Sequence, residues 1–401
     1  MPNDAVKVVS NLREHLSRHD RPIAFLFGAG TSASVKISAD VGRPPEPAVP
    51  AIIALTHKCK AAVSALGARF DQAWDEVSVD CREEGVGTNV EAILSRVRTA
   101  RAAIGSRGRL HGLSRDDLDN VEVTICRTIG ALANPDLTRF PAVSPHDRFA
   151  KWIGRVVRIA PIEIFTLNYD VLIERALERA RIPVFDGFVG AYQPFFHGDS
   201  LRRSELGVGS AWTRLWKIHG SVSWRKVVEG TDTRIVRTQP SNDGEMILPA
   251  MSKYDESRMQ PYLAYLDRLG RFLDQDDSLI VCCGYSFGDQ HVNNVLFSAL
   301  ANRPRTHLVA LQFEDVADGD TLATRGAAHR NLIVIGRTGG IVAATRDVWI
   351  ADPPRCDSAG IGRQIIEPAP AAHPDRPQVM LGDFAVFSQF LESLVSPEVI
   401  A

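Results

Sequence analysis

The sequence contains no apolar run that approaches the roughly 18 residues a membrane helix needs. Its first 21 residues mix acids and bases and contain no apolar stretch of the signal-peptide kind, so a cytoplasmic protein is expected. The six cysteines, Cys59, Cys81, Cys126, Cys282, Cys283 and Cys356, include no CxxC pair, so no zinc ribbon is encoded and no zinc is expected. Scattered cysteines fit a reducing compartment. No charge of one sign dominates: 46 basic residues against 48 acidic ones leave −2, which argues against a whole-protein electrostatic footprint for DNA. What is present is ordinary for a globular chain, with 45% apolar and 23% charged residues. Disordered, collagen-like and disulfide-scaffold classes are excluded. At 401 residues, about three-quarters of the chain's surface is expected to be buried on folding.

Apolar periodicity predicts a helix over Met1–Asp20, with Val6, Val9, Leu12 and Leu16 on one face, and then a buried strand Ile23–Phe27 ending in a glycine-rich turn. Residues 39–50 carry too much proline for regular helix. Residues 50–130 read as mostly helical. Thr88 with Glu91 is expected to form a capping box that starts a helix over Asn89–Ala103, and Asp116 or Asp117 to cap the next one. Further strands are expected at Ile159–Asn168, Leu215–His219, Ser278–Cys283, His307–Gln312 and Leu332–Ile335, and Ile247–Pro249 is a short apolar piece. Helices are expected at Val171–Ala180, Tyr262–Leu273, Val292–Ala301 and Phe384–Leu394. This alternation implies an α/β fold, a Rossmann-like parallel sheet with helices on both faces. It is divided into a domain over 1–340 with a helical insertion at about 40–150, and a short C-terminal extension over 341–401.

Four polar turns each follow an apolar strand. The first, Gly28-Ala29-Gly30-Thr31-Ser32-Ala33, satisfies G-x-G-x-x-[G/A], which lets backbone approach a pyrophosphate; a tight strand-to-helix turn would use the same glycines. The second is Thr166-Leu167-Asn168-Tyr169-Asp170. Asn168 offers donors and an acceptor for a ribose hydroxyl or a water, although Asn168 or Asp170 could equally cap a helix. The third, His219-Gly220-Ser221, places a histidine, able to accept a proton near pH 7, just beyond a strand. The fourth is Gly284-Tyr285-Ser286-Phe287-Gly288-Asp289, with His291 and Asn293 after it; its small residues could hold a ribose, and Asp289 could cap a helix.

In this order, GAGTS, TLNYD, HGS and GYSFGDQHVN resemble the sirtuin-like family, and within it the bacterial branch that serves antiphage defence. Thr88–Val97, TNVEAILSRV, resembles a helical segment of that branch. The resemblance covers about residues 20–340. It departs from the protein-deacylase sirtuins in lacking their four zinc-binding cysteines and in reading VKISADVGRPPEP where their nicotinamide-pocket aspartate stands. The resemblance implies that NAD is bound as substrate and that its nicotinamide–ribose bond is cleaved with water as acceptor. Asn168 and His219 would be the catalytic residues. Gly28, Ala29, Gly30, Thr31, Ser32, Tyr169, Asp170, Gly284, Ser286, Asp289 and His291 would contact the nucleotide.

Protein deacylation and a non-catalytic nucleotide-sensing subunit are the rival readings. An enzyme that consumes NAD needs restraint, which suggests a homo-oligomer. The resemblance adds a HerA-type ATPase or a short Argonaute protein as partner. Arg96, Arg98, Arg101, Arg107, Arg109 and Arg115 lie in a stretch without acids between Ala92 and Arg115. It could meet phosphates or be a solvated face balanced by Asp116, Asp117 and Asp119.

Overall fold

The computed structural model describes residues 3–37, 45–85, 87–105, 108–202, 209–230, 232–242, 261–351, 356, 359–368 and 377–395. Among these, ten strands form one sheet: β1 (Asn3–Asp4), β2 (Ile23–Phe27), β5 (Glu163–Thr166), β6 (Val184–Phe185), β9 (Thr213–Lys217), β12 (Leu279–Cys283), β13 (His307–Leu311), β14 (Leu332–Ile335), β15 (Gly339–Val342) and β16 (Thr345–Ile350). Their spatial order is β1-β16-β15-β14-β13-β12-β2-β5-β9-β6, and every pairing except those of β15 is parallel. The six central parallel strands follow the doubly wound order 3-2-1-4-5-6, counted from β2.

The sheet is covered on both faces because its strands are apolar on both. Phe25, Phe27, Ile164 and Leu215 join one core with helices α1 (Ala5–Ser17), α7 (Pro145–Arg155), α8 (Leu172–Arg179) and α13 (Phe384–Ser393). Ala24, Leu26, Phe165 and Trp216 join the opposite core with α10 (Tyr262–Leu273), α11 (Gln290–Asn302) and α12 (Thr321–Ala328). Continuous apolar runs such as IAFLF and LIVCC are what a strand buried on both faces requires. Directly after β2, α2 (Ala29–Ala33) is a single short turn of helix.

The insertion packs as a unit of its own. Helices α3 (Ile52–Ser64), α4 (Ala68–Glu83), α5 (Val90–Ala103) and α6 (Arg115–Ala133) share a separate apolar cluster around Trp74, Ile93, Leu94 and Ile125. A 3-10 turn at Leu137–Arg139 leads back to α7, which belongs to the sheet domain. The remaining strands are minor. β3 (Lys36–Ile37) pairs with β4 (Glu46–Pro47), and β17 (Ile366–Glu367) with β18 (Gln378–Val379). β7 (Phe188–Val189), β8 (Phe195–Phe196), β10 (Trp224–Glu229) and β11 (Asp232–Arg237) make a small antiparallel sheet near α9 (Asp199–Arg202).

Several local expectations need correction. The cap of α5 is Asn89, whose side chain accepts from the Ala92 N–H, so the helix starts one residue later than the Thr88 box would place it. The cap of α6 is Ser114, with Asp117 closing a reciprocal box from the third helical position. The strand expected at Ile159–Asn168 shortens to β5. The boundary at residue 340 falls inside β15, and α13 buries Phe384, Phe387, Phe390 and Leu391 in the sheet's core, so the extension completes the domain rather than trailing from it. The short apolar piece Ile247–Pro249 lies outside the described residues, as does Arg107.

Candidate active site

The register of the central strands places the four polar turns in one row. Cys283 stands beside Phe27, Phe27 beside Thr166, and Thr166 beside Lys217. The ladder runs one residue further: Gly28 N–H donates to Cys283 O at 3.1 Å, Leu167 N–H to Phe27 O at 2.9 Å, and Ile218 N–H to Thr166 O at 2.9 Å. All four chains therefore leave the sheet at the carboxyl ends of its strands. They flank the crevice between the first and fourth strands of the winding order, where open α/β sheets bind ligands.

The first and fourth turns touch backbone to backbone. Gly30 N–H donates to Gly284 O at 3.0 Å. A Cβ on Gly28 would lie 2.4 Å from Gly284 O, one on Gly30 2.6 Å from Gly284 Cα, and one on Gly284, at φ +64°, 2.5 Å from Thr31 N. Glycine is required at all three by this approach, whether or not a phosphate is present. The N–H groups of Gly28, Gly30 and Thr31 are bonded within the protein, which narrows the phosphate cradle expected of Gly28–Ser32. Ala29 and Gly30 are exposed at the rim, while Thr31 and Ser32 are buried beneath them.

Asn168 ties the second turn to the first. Its amide nitrogen donates into the glycine loop, 3.1 Å from Gly28 O, 3.0 Å from Thr31 Oγ1 and 2.8 Å from Ser32 Oγ. Ser32 Oγ in turn donates to Asp170 Oδ2 at 2.6 Å, and Asp170 Oδ1 accepts the Leu172 N–H at 3.0 Å at the start of α8. Asp170 is thus a buried anchor that fixes the loop, not a group at the rim. With its nitrogen so bound, the Asn168 carbonyl is oriented by the loop.

His219 is held by the fourth turn. Its Nε2 lies 2.9 Å from Asp289 Oδ2, with both side chains under 10% exposed. The other oxygen of Asp289 accepts the N–H groups of His291 at 2.8 Å and Val292 at 3.2 Å, capping α11. Asp289 is both the helix cap and the partner of His219, so its candidate role moves from nucleotide contact to histidine positioning. The ring of Tyr169 lies 6.3 Å from that of His219 and packs against the insertion's core. Burial first, then the neighbouring Glu91, Cys126 and Asp289, push the Tyr169 phenol well above its ordinary pKa. Ser286 and His291 are exposed at the rim, and neither side chain makes a hydrogen bond among the described residues.

Three supporting features were not legible in the turns themselves. Lys217, buried at the end of β9, donates to Asp170 O and pairs with Glu174 of α8 at 2.9 Å; burial raises the Glu174 pKa against the pull of that lysine. A lysine inside the run LWKIHG is the signal that could have pointed to it. Phe287 adopts a left-handed φ of +56° and is held there by Asn293, whose Nδ2 donates to Phe287 O at 2.7 Å. His146 of α7 is 2% exposed, lies within electrostatic reach of Asp170, and is depressed by burial to about 4. Its Nδ1 has no hydrogen-bond partner among the described residues.

Three arginines of the stretch are matched by acids of the insertion, while Arg109 donates to Gly112 O at 3.3 Å. Arg96 pairs with Glu84 at 2.9 Å and Asp80 at 3.4 Å, Arg98 with Glu122 at 2.8 Å, and Arg101 with Asp119 at 2.7 Å and Glu122 at 2.5 Å. Asp117 is bound instead to Arg69 at 2.6 Å. Among the described residues no group of three or more His, Cys, Asp or Glu side chains is placed to hold a metal, and no helix is long and apolar enough to cross a membrane.

Residues 162–333 match the family model of a SIR2-like domain. That segment holds the second, third and fourth turns, and leaves the glycine loop and the insertion outside it. A solved structure described as "Structural Basis for the Mechanism and Regulation of Sir2 Enzymes" aligns with 76% of this chain and 85% of that chain, at 11% identity and a TM-score of 0.31. No curated protein matches the chain.

Proposed function

We propose that this chain is an NAD-consuming enzyme that hydrolyses the nicotinamide–ribose bond. The observation that carries the reading is the placement of Asn168 and the His219–Asp289 pair at the carboxyl ends of neighbouring strands beside the switch-point crevice of a doubly wound sheet. The SIR2-like match over both elements supports it.

In this mechanism the C–N glycosidic bond breaks and its electron pair leaves with nicotinamide, which becomes neutral. The ribose passes through an oxocarbenium-like state, and water adds to the anomeric carbon. Asn168, its amide held by Ser32 and Thr31, offers its carbonyl to orient that water or a ribose hydroxyl. With the His219 Nε2–H donating to the Asp289 carboxylate, Nδ1 carries the lone pair that takes the water's proton, and Asp289 stabilises the imidazolium that forms. The rim formed by Ala29, Gly30, Ser286 and His291 would receive the nucleotide's phosphates and adenosine ribose.

In the cell such an activity drains NAD. We place it in bacterial antiphage defence by abortive infection, in the cytoplasm, as a homo-oligomer restrained by a HerA-type ATPase or a short Argonaute protein; the motif resemblance supports this setting. Purified protein incubated with NAD, followed by chromatographic product identification, tests the chemistry. ADP-ribose and nicotinamide are expected from the wild type and neither from His219→Ala. Wild-type release of nicotinamide by both His219→Ala and Asn168→Ala would overturn the assignment. Acetyl-ADP-ribose formed from an acetylated peptide would favour deacylation instead.

A further inference from the structure

A cavity of about 190 Å³ lies between the start of α7, the turn before it and α8. Its lining mixes apolar Leu137, Phe140, Leu172 and Ala176 with polar Ser144, Asp147, Arg175 and Arg179, the α8 residues among them alternating along one helix face. The charges among them are not equivalent. Asp147 accepts from Ser144 N–H at 2.8 Å and Ser144 Oγ at 2.9 Å, and pairs with Arg179 at 3.4 Å, while Arg179 also donates to Ala142 O at 3.2 Å. Asp147 and Arg179 therefore answer each other. The Arg175 side chain makes no ion pair or hydrogen bond among the described residues, and Arg175 lines the cavity. The cavity thus combines one uncommitted guanidinium with an apolar wall.

We propose that this cavity binds a small organic carboxylate, with the acid group on Arg175 and a ring-sized apolar body against Leu172 and Phe140. A guanidinium presents a planar fork that fits a carboxylate bidentately. The volume is somewhat larger than the roughly 150 Å³ cavity that accommodates benzene, so one ring with its carboxylate fits and a whole nucleotide does not.

The cavity wall is connected to the catalytic loop. Leu172 N–H bonds Asp170 at 3.0 Å, Asp170 bonds Ser32 at 2.6 Å, and Ser32 bonds Asn168 at 2.8 Å. A ligand that shifts Leu172 pulls on the residue that orients Asn168, so occupancy modulates turnover. This second part rests on the NAD reading above; binding itself does not.

Benzoate is the probe, benzamide its uncharged counterpart and inorganic phosphate the anion without a ring, all compared at equal ionic strength by thermal unfolding and titration calorimetry. Benzoate should raise the Tm by about 1–2 °C at ten times its Kd, with benzamide and phosphate inert. Arg175→Gln should keep the unliganded Tm and weaken benzoate at least about tenfold. No response to benzoate, an equal response to benzamide or phosphate, or an undiminished response in Arg175→Gln would each overturn the site. Benzoate should change the NAD cleavage rate of the wild type and not of Arg175→Gln. An unchanged wild-type rate despite binding would overturn the coupling, and the absence of any NAD cleavage would instead count against the proposed function.

Discussion

The Nε2 atom of His219 lies 2.9 Å from Oδ2 of Asp289, a residue 70 positions further along the chain and on the far side of the sheet's first strand. Asp289 uses its other oxygen to cap α11, so the start of a helix is what aims the histidine. Asp289→Asn separates the two duties. Asparagine caps helices as well as aspartate, so stability should change by less than about 0.5 kcal/mol in urea unfolding. NAD cleavage should fall by about 10²–10⁴-fold, because the carboxylate that stabilises the imidazolium is gone. Asp289→Ala should show the same kinetic loss and a further loss of about 1 kcal/mol from the missing cap. Full activity in Asp289→Asn would show that the pair is structural.

Gly284 is irreplaceable on steric grounds. Its φ of +64° and the 2.5 Å approach of a Cβ to Thr31 N make Gly284→Ala strained twice over. We expect a loss of at least about 2 kcal/mol in stability, together with loss of NAD binding by calorimetry, since the two turns must part. A variant with wild-type stability would mean that the loops separate freely.

The Lys217–Glu174 pair should behave as a buried ion pair. Lys217→Met leaves Glu174, already raised by burial, without its cation, and should cost about 3–5 kcal/mol in chemical unfolding. Adding Glu174→Gln should recover much of that loss. If the double variant is no more stable than Lys217→Met, the coupling between the two is not what holds the strand to α8.

His146 predicts a pH dependence of stability. Its folded pKa of about 4 lies below the ordinary 6.5, so the unfolded chain binds the extra proton between these values. The contribution is fully present above pH 6.5 and is lost as pH falls from there towards 4, with a full amplitude of about 3 kcal/mol. His146→Leu should flatten the curve of unfolding free energy between pH 7 and 5. An unchanged slope would place the acid sensitivity elsewhere.

Much of this architecture is written locally. Runs such as Ile23–Phe27 and Leu332–Ile335, and the amphipathic pattern of Tyr262–Leu273, are recovered residue for residue, because a strand buried on both faces and a half-buried helix each leave a simple apolar period. The caps of α5 and α6 were displaced by one to three positions because Asn89, Ser114 and their neighbours are all competent caps, and only packing chooses among them. The strands β15 and β16 are not legible because β15 opens on Gly339-Gly340 and shows no apolar alternation, while β16 buries only Trp349.

The sequence by itself determined the winding order's ingredients: four apolar strands, each ending in a polar turn rich in small residues. It also singled out Asn168 and His219 as candidate catalytic side chains. Only the tertiary structure decided what surrounds them. Strand register, set by hydrogen bonds between segments over a hundred residues apart, brings Gly28 against Gly284 and Asn168 against Ser32. The same register turns Asp289 from a helix cap into the partner of His219 and buries Asp170 as an anchor. Such relationships depend on distances between residues far apart in the chain, and no local pattern of side chains encodes them.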